Sequence, residues 1–440
     1  MPDPRQKKQL LVLTGDHSAD GHAASFIRAL RELEPDSWNI AGVGGVAMQA
    51  EPGVEMLSDH SQMGVIGIGG VISAVPSHRA LARKILDWCD RQKPDVAVLI
   101  DYGVFHLWLA PKLRARGIKV MYFIPPQIWA SRPWRIGKLK RAADEVLVIL
   151  PFEEAYYRLK GIPATFVGNP LAARLPPPTT KAQLAERFGF DAGGTLIGVF
   201  PGSRKLEIGN LLAAQIGAAK LLNAQSPGRF TFALSKARNL KDAYFNEMLT
   251  HAGGSDLPWL KIIDDNHALL SASDLVLAAS GTLTLEAALF RTPMVVMYRG
   301  PWYAYAMVKL LMTTEHISLP NNVFEPPSAS RERGGEETNA SSPVARPSVS
   351  AAVGIDASNA GSRINAASGG RRIVPELWQY EVTPERIAEM TMAMLEPVRY
   401  ARMKDDLDIV ARQFQDAQTP VRVAQAVARL ATGGHSRPTP

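Results

Sequence analysis

Two short turns carry the residue types that grip phosphate. Pro201-Gly202-Ser203-Arg204 closes the apolar run Thr195–Phe200, and Ser280-Gly281-Thr282 closes the run Asp274–Ala278 and leads to Leu285-Glu286. Each passes from a strand-like run through glycine and a hydroxyl residue into a helix-like run. Such a turn leaves backbone N–H groups without intrahelical acceptors at the positive end of a helix, which suits an anion. Two of them in one half of the chain suit a diphosphate. Gly202 lets the backbone approach a ligand closely, Ser203 offers a hydroxyl, and Arg204 offers a planar fork for phosphate oxygens. A cation at a helix start opposes the dipole, and a bound anion removes that conflict. Glu286 lies one helical turn past Thr282 on the same face, placed to accept hydrogen bonds from ribose hydroxyls. Either turn by itself is also what an ordinary capped helix start looks like.

A carboxylate stands at a comparable place in the other half. Asp101 follows Val96-Ala97-Val98-Leu99-Ile100, an apolar run with the character of a strand buried on both faces. At the carboxyl end of such a strand it faces a crevice, where it can act as general base on an attacking hydroxyl; a loop-capping aspartate is the alternative. The polar turn Gly15–His22 is expected to line the acceptor side through Asp16, Ser18 and Asp20. Its histidines and aspartates do not make a metal site, because ligands on one short turn rarely converge without dedicated spacing. Asp264-Asp265 is too generic to suggest one either, so no metal is expected.

These residues need a scaffold, and the hydrophobic pattern supplies one. Strands are predicted at 9–13, 39–43, 95–100, 119–124, 145–150 and 165–167, and again at 195–200, 230–234, 260–263, 274–278 and 293–298. Helical periodicity fills the gaps, as at 23–32, 79–90, 210–222 and 284–290. Alternating βα units predict an α/β protein with parallel sheets covered on both faces. The stiff run Leu175-Pro176-Pro177-Pro178 separates the two series. The reading is therefore two Rossmann-like domains, 1–175 and 176–400, facing across a cleft, with ligands outside the carboxyl ends of the strands. Residues 325–371 contain no Leu, Met or aromatic residue and read as a disordered insertion. Helices in 401–440, ahead of a disordered tail, are expected to cross back over the domains or pack on a partner subunit.

Composition narrows the setting. A length of 440 residues implies more than one domain, and 46% hydrophobic content is ordinary for a globular chain. A single cysteine, Cys89, leaves no disulfide framework and fits a reducing compartment. No signal peptide and no spanning helix are expected. The net charge of +7 implies anionic partners. Two stretches suit a membrane surface. Met63–Val75 is apolar and glycine-rich, with Val65, Ile66, Ile68, Val71 and Ile72 as the expected contacts; Arg132–Arg141 is basic around Trp134. A core element and a solvated basic face are the respective alternatives. No recognisable nucleic-acid module accompanies the basic run, so nucleic acid is not expected.

Taken in order, the motifs resemble the lipid-A-disaccharide synthase family. The matching stretches include Gly15-Asp16-His17-Ser18-Ala19-Asp20, Gly44-Gly45-Val46, Ile100-Asp101 with Phe105, Pro126-Gln127-Ile128-Trp129-Ala130-Ser131-Arg132 and Gly168-Asn169-Pro170. They continue through Pro201-Gly202-Ser203-Arg204, Ala279-Ser280-Gly281-Thr282 with Glu286, Ser318-Leu319-Pro320-Asn321 and Val374-Pro375-Glu376-Leu377-Trp378. The resemblance implies a GT-B glycosyltransferase of lipid A biosynthesis, serving the Gram-negative outer membrane. It would join UDP-2,3-diacylglucosamine to 2,3-diacylglucosamine 1-phosphate with inversion, releasing UDP, without metal or cofactor. It would be cytoplasmic and peripheral on the inner membrane, and the resemblance suggests a homodimer.

By position, Asp101 then matches the family's base, and Arg204 with Ser280–Thr282 its nucleotide contacts. Gln127, Arg132 and Asn321 are expected to line the acceptor side or the cleft. The chain departs from the family pattern at Asp16, His17, Ala19, Gly67, His106, Pro125-Pro126, Ser131-Arg132 and Asn169, mostly on the acceptor side. Three other readings share these features: a divergent relative acting on another acylated sugar, a UDP-sugar 2-epimerase, and an inactive relative that binds nucleotide-sugar or lipid.

Overall fold

The computed structural model describes residues 7–59, 75–237, 240–301, 311–327, 371–415 and 418–433. The first sheet is built from β1 (Lys8–Thr14), β2 (Trp38–Gly44), β3 (Val54–Asp59), β4 (Val96–Ile100), β5 (Lys119–Phe123), β6 (Glu145–Val148) and β7 (Ala164–Phe166), all paired in parallel in the order β3-β2-β1-β4-β5-β6-β7. The second contains β8 (Thr195–Phe200), β9 (Phe230–Ser235), β10 (Leu260–Ile263), β11 (Leu275–Ala279), β12 (Met294–Tyr298) and β13 (Glu376–Trp378), parallel in the order β10-β9-β8-β11-β12-β13. This is the expected α/β architecture of two Rossmann-like sheets. Strands β3 and β13 are additions to the expected set. Both are edge strands, β3 is largely accessible and acidic, and β13 has only three residues, so neither shows an apolar run.

The helices up to that of Thr282 are α1 (His17–Leu33), α2 (Val46–Gln49), α3 (Val75–Gln92), α4 (Gly103–Arg114), α5 (Ile136–Ala142), α6 (Pro151–Leu159), α7 (Pro170–Arg174), α8 (Lys181–Phe188), α9 (Lys205–Gln225), α10 (Asp242–His251), α11 (Asn266–Ala272) and α12 (Thr282–Leu289). Helices α1, α4, α9 and α12, which carry or adjoin the site turns, each follow a strand. Helix α1 begins six residues ahead of the apolar periodicity. Asp16 caps it, accepting from the Ala19 amide at 2.8 Å, so the polar stretch His17–His22 is helix rather than open turn.

The sheets are held by complete burial of their central strands. Every residue of β4 is buried, as are Leu275 to Ala279 of β11. Each such aliphatic side chain contributes roughly 1.5–3 kcal/mol on burial, which fixes the strands whose ends carry Asp101 and Ser280. In each sheet the strand order reverses beside the first strand, between β1 and β4 and between β8 and β11. Ligands of doubly wound sheets bind in the crevice at that point, outside the carboxyl ends.

The two carboxyl edges are joined. Ser131, after β5, forms an antiparallel bridge with Met312, after β12. The Thr313 amide donates to the Ala130 carbonyl at 3.1 Å, and the Thr313 hydroxyl to the Trp129 carbonyl at 2.6 Å. The helix Thr419–Ala431 then returns to the first sheet. Its Val423, Val427 and Leu430 pack with Phe26, Ile27 and Leu30 of α1, and Arg429 pairs with Glu145 at 2.7 Å. The expected membrane contacts Val65, Ile66, Ile68, Val71 and Ile72 lie outside the described residues, as do residues 328–370 of the insertion.

Candidate functional site

The two glycine-hydroxyl turns meet in one pocket. It has a volume of about 310 Å³ and is lined by Gly202, Ser203 and Arg204 from the β8 end and by Ser280, Gly281, Thr282 and Glu286 from the β11 end. Ser235 and Asn266, hydrogen-bonded to each other at 2.6 Å, close its side. The pocket thus sits at the β8–β11 reversal.

The β11 turn is open. Gly281 has φ of +149°, a conformation that favours glycine, and a Cβ there would meet no atom within 4 Å. It precedes α12 with no side-chain cap. Among the described residues the Gly281, Thr282 and Leu283 amides have no protein acceptor, so donors remain for an anion. The Ser280 hydroxyl is engaged, donating to Ile317 O at 3.3 Å. Glu286 is mostly buried, and burial pushes its carboxyl above the usual range, partly offset by His267 at 3.6 Å.

The β8 turn differs from the expected arrangement of free amides. Glu207 reaches back and accepts from Ser203 N at 3.0 Å and Arg204 N at 3.2 Å. It also holds the Arg204 guanidinium at 2.9 Å. This is the glutamate half of a capping box, since an arginine cannot accept in return; it satisfies the donors ahead of the helix and leaves those of its first turn. The same carboxylate offsets the unfavourable arginine at the positive helix end. Gly202 is required because its φ is +106° and a Cβ would lie 2.4 Å from Glu207 Oε2. The sequence signal was present as a helix-start residue followed three positions later by Glu.

In the first sheet, Asp101 and Asp16 follow the carboxyl ends of β4 and β1, on either side of the other reversal. Asp101 is open to solvent, yet enough protein packs around its carboxylate to disfavour the charge. Burial raises its pKa, the nearby Asp16 charge adds to the rise, and the hydrogen bond from Tyr102 N at 2.7 Å opposes it. Ser18 is exposed in the first turn of α1, 3.5 Å from His22 Nε2. Burial holds His22 at about 4, with Arg174 lowering it further. Gln127 is exposed and Arg132 half-buried on the loop after β5.

Two expected lining residues are structural instead. Asp20 is fully buried and spends its carboxylate on Gly45 N, Ala47 N and Met48 N, at 2.7, 2.8 and 3.1 Å, capping α2. Asn321 is also fully buried. Its amide bonds Val374 O and Glu376 Oε1, and its carbonyl accepts from Ile373 N and Val374 N. It therefore supports the loop at Ile317 that touches Ser280, without reaching the cleft surface. In both cases a short polar side chain is worth more satisfying buried backbone than facing water.

A second feature lies beside Asp101. Val104, Trp108 and Trp134 are exposed, and a groove of about 350 Å³ between α4 and α5 is lined by Val104, Leu107, Trp108, Lys112, Arg135 and Lys138. Lys112 Nζ sits 3.7 Å from the centre of the Trp108 ring. Among the described residues no helix is long and apolar enough to cross a membrane, and no cluster of three or more His, Cys, Asp or Glu can hold a metal.

Comparison with known proteins gives the family and the fold. Residues 10–342 match the family model described as Lipid-A-disaccharide synthetase. Relatives of the same description include the lipid-A-disaccharide synthase of Trichlorobacter lovleyi, 37% identical over 72% of this chain and 81% of that protein. That of Geobacter metallireducens is 31% identical over 96% of this chain and 97% of that protein. Among solved structures, a putative UDP-N-acetylglucosamine 2-epimerase from Listeria monocytogenes aligns over 96% of both chains with a TM-score of 0.56 and 13% identity. The Neisseria meningitidis UDP-GlcNAc 2-epimerase bound to UDP-GlcNAc aligns over 96% of this chain and 100% of that one, with a TM-score of 0.55 and 11% identity. At such identities these two likenesses concern the fold alone.

Proposed function

The chain belongs to the lipid-A-disaccharide synthase family, a family of glycosyltransferases, and on that premise we propose the reaction it performs. It moves a 2,3-diacylglucosamine unit from a UDP donor to 2,3-diacylglucosamine 1-phosphate, with inversion at the anomeric carbon. The observation that carries the reading is the pocket at the β8–β11 reversal, where both phosphate-suited turns converge. The open amides of Gly281, Thr282 and Leu283 and the Arg204 guanidinium take the diphosphate, and Glu286 takes the ribose hydroxyls.

Asp101 accepts the proton of the acceptor hydroxyl as that oxygen bonds the anomeric carbon. The bond from that carbon to the diphosphate oxygen breaks, and UDP leaves with the electron pair. Donors held in place before reaction stabilise the charge that develops on the diphosphate. A carboxylate made more basic by burial and by Asp16 is better matched to a proton transfer near neutral pH.

The acylated substrates require a lipid surface, and the exposed tryptophans of the α4–α5 region beside basic side chains supply the chemistry for one. Indole rings suit the headgroup level, and Lys112, Arg135 and Lys138 attract anionic headgroups.

The test is direct. Purified protein given the diacylated donor releases UDP when the acceptor is added and forms a disaccharide. Asp101→Asn binds UDP as wild type does but does not turn over. Turnover retained by Asp101→Asn, or UDP bound elsewhere than this pocket, overturns the reading.

A further inference from the structure

Asp101 and Tyr102 are consecutive residues in the left-handed region, with φ of +53° and +51°. Neither is glycine, so the local backbone is unfavourable and persists only where its surroundings over-determine it. What holds it is visible at the Asp101 carbonyl. That oxygen accepts two side-chain hydrogen bonds, from His106 Nδ1 at 2.8 Å and from the Tyr122 hydroxyl at 2.7 Å. Both donors come from well-anchored elements, His106 from the first turns of α4 and Tyr122 from β5. Tyr122 and His106 are fully buried.

His106 is costly to keep as a core residue. A carbonyl only accepts, so its Nδ1 carries the proton, and its buried Nε2 lone pair has no partner among the described residues. An apolar side chain of similar size would fill the space with no orphaned nitrogen. Leucine could replace its packing against Tyr102, Phe105 and Tyr122 in bulk, but among the described residues the hydrogen bond the imidazole makes, its donation to Asp101 O, is one leucine cannot make.

We propose that His106 and Tyr122 are positioning residues: together they clamp the Asp101 carbonyl and thereby hold the Asp101 carboxylate in its left-handed setting at the crevice. The inference rests on the reading of Asp101 as the base. The side chain leaves the same Cα whose carbonyl is gripped, so slack at the carbonyl becomes misplacement of the carboxylate. Small misplacements of a reacting group are expensive in rate while leaving distant binding contacts intact.

The test uses steady-state kinetics on the full chain with the diacylated donor and acceptor. Tyr122→Phe removes only a hydroxyl and is expected to lower kcat roughly tenfold; His106→Leu does the same, and the double variant loses on the order of a hundredfold. KM for the UDP donor stays within about twofold, because the nucleotide contacts lie in the other sheet. The thermal midpoint of Tyr122→Phe stays within about 3 °C of wild type. His106→Asn, which places an amide N–H where Nδ1 stood, restores kcat to within about threefold. Asp101→Asn serves as the reference. If it is inactive while His106→Leu and Tyr122→Phe keep kcat within about twofold of wild type, the clamp is wrong and the base reading stands. Losses that appear in KM or in thermal midpoint instead of kcat also overturn the clamp. Full turnover by Asp101→Asn removes the base reading and the clamp with it.

Discussion

The Thr313 hydroxyl donates to the Trp129 carbonyl at 2.6 Å, while the Trp129 indole N–H donates to the buried Glu153 carboxylate at 2.8 Å. Trp129 is thereby held by an acid of the first sheet's helices on one side and by the loop after β12 on the other. The join between the two carboxyl edges runs through this residue.

Thr313→Val tests that join. It keeps the shape and removes the hydroxyl, so unfolding free energy should fall by about 1 kcal/mol. Amide exchange at Thr313 and Arg132, whose N–H groups donate to Ala130 O and Leu311 O, should quicken while β4 amides stay protected. Unchanged exchange at both amides would mean the hydroxyl does not secure the join.

Glu153 should make stability pH-dependent. Burial raises its pKa from 4.5 to about 7, although Trp129 and the Leu150 and Ile149 amides lower it. The native protein therefore holds a proton that the unfolded chain releases above about pH 4.5. Its contribution is greatest below that value and declines as pH rises toward 7, by on the order of 3 kcal/mol in all. Glu153→Gln cannot ionise and lacks this decline. Urea unfolding at about pH 5 and about pH 8 should show the variant gaining on wild type at the higher pH. His106, lowered by burial to about 4, has the opposite sign: its contribution is lost as pH falls from 6.5 toward 4. Comparing variant with wild type isolates the Glu153 slope.

Arg204→Ala should weaken UDP binding by roughly 10- to 100-fold, the loss of a charge-assisted contact. Glu207→Ala frees the same guanidinium but removes the acceptor of the Ser203 and Arg204 amides, so the start of helix α9 loses about 1 kcal/mol of stability. Calorimetric titration with UDP and thermal unfolding, run on both variants, separate the two roles. Equal affinity in Arg204→Ala and wild type would remove Arg204 from the diphosphate site.

Gly281→Ala should impair UDP binding through conformation, since the position has room for a methyl group but a φ of +149°. A strain of about 1–3 kcal/mol falls on the turn whose amides face the pocket, and affinity should drop correspondingly. Wild-type affinity in this variant would show that the turn does not need glycine's backbone.

Trp108→Ser combined with Trp134→Ser should reduce sedimentation with vesicles containing about one-third anionic phospholipid several-fold. Raising the salt should weaken binding of the wild type, because the basic residues act through screened charge. UDP affinity should not change. Undiminished vesicle binding by the double variant would place the lipid-facing surface elsewhere.

The strands that carry the site were legible as apolar runs because they are buried on both faces, and the two turns were legible because glycine and hydroxyl residues are placed by backbone rules. Edge strands β3 and β13 left no such signature. Asp20 and Asn321 show where residue type misleads: a short polar side chain serves equally at a site or in satisfying buried amides, and only the neighbours decide. Glu207 stands three positions after Arg204, where a glutamate can reach back to a helix start, yet its competition for the Ser203 and Arg204 amides depends on side-chain geometry.

Local rules thus determined the βα alternation, the two phosphate-suited turns and an aspartate at a strand end, since each depends on residues adjacent in the chain. Tertiary structure alone decided that Gly202 and Gly281, 79 positions apart, line one pocket, and that Asp101 is gripped through its carbonyl by His106 and Tyr122. Those relations follow from strand order, and strand order is fixed by the packing of whole sheets.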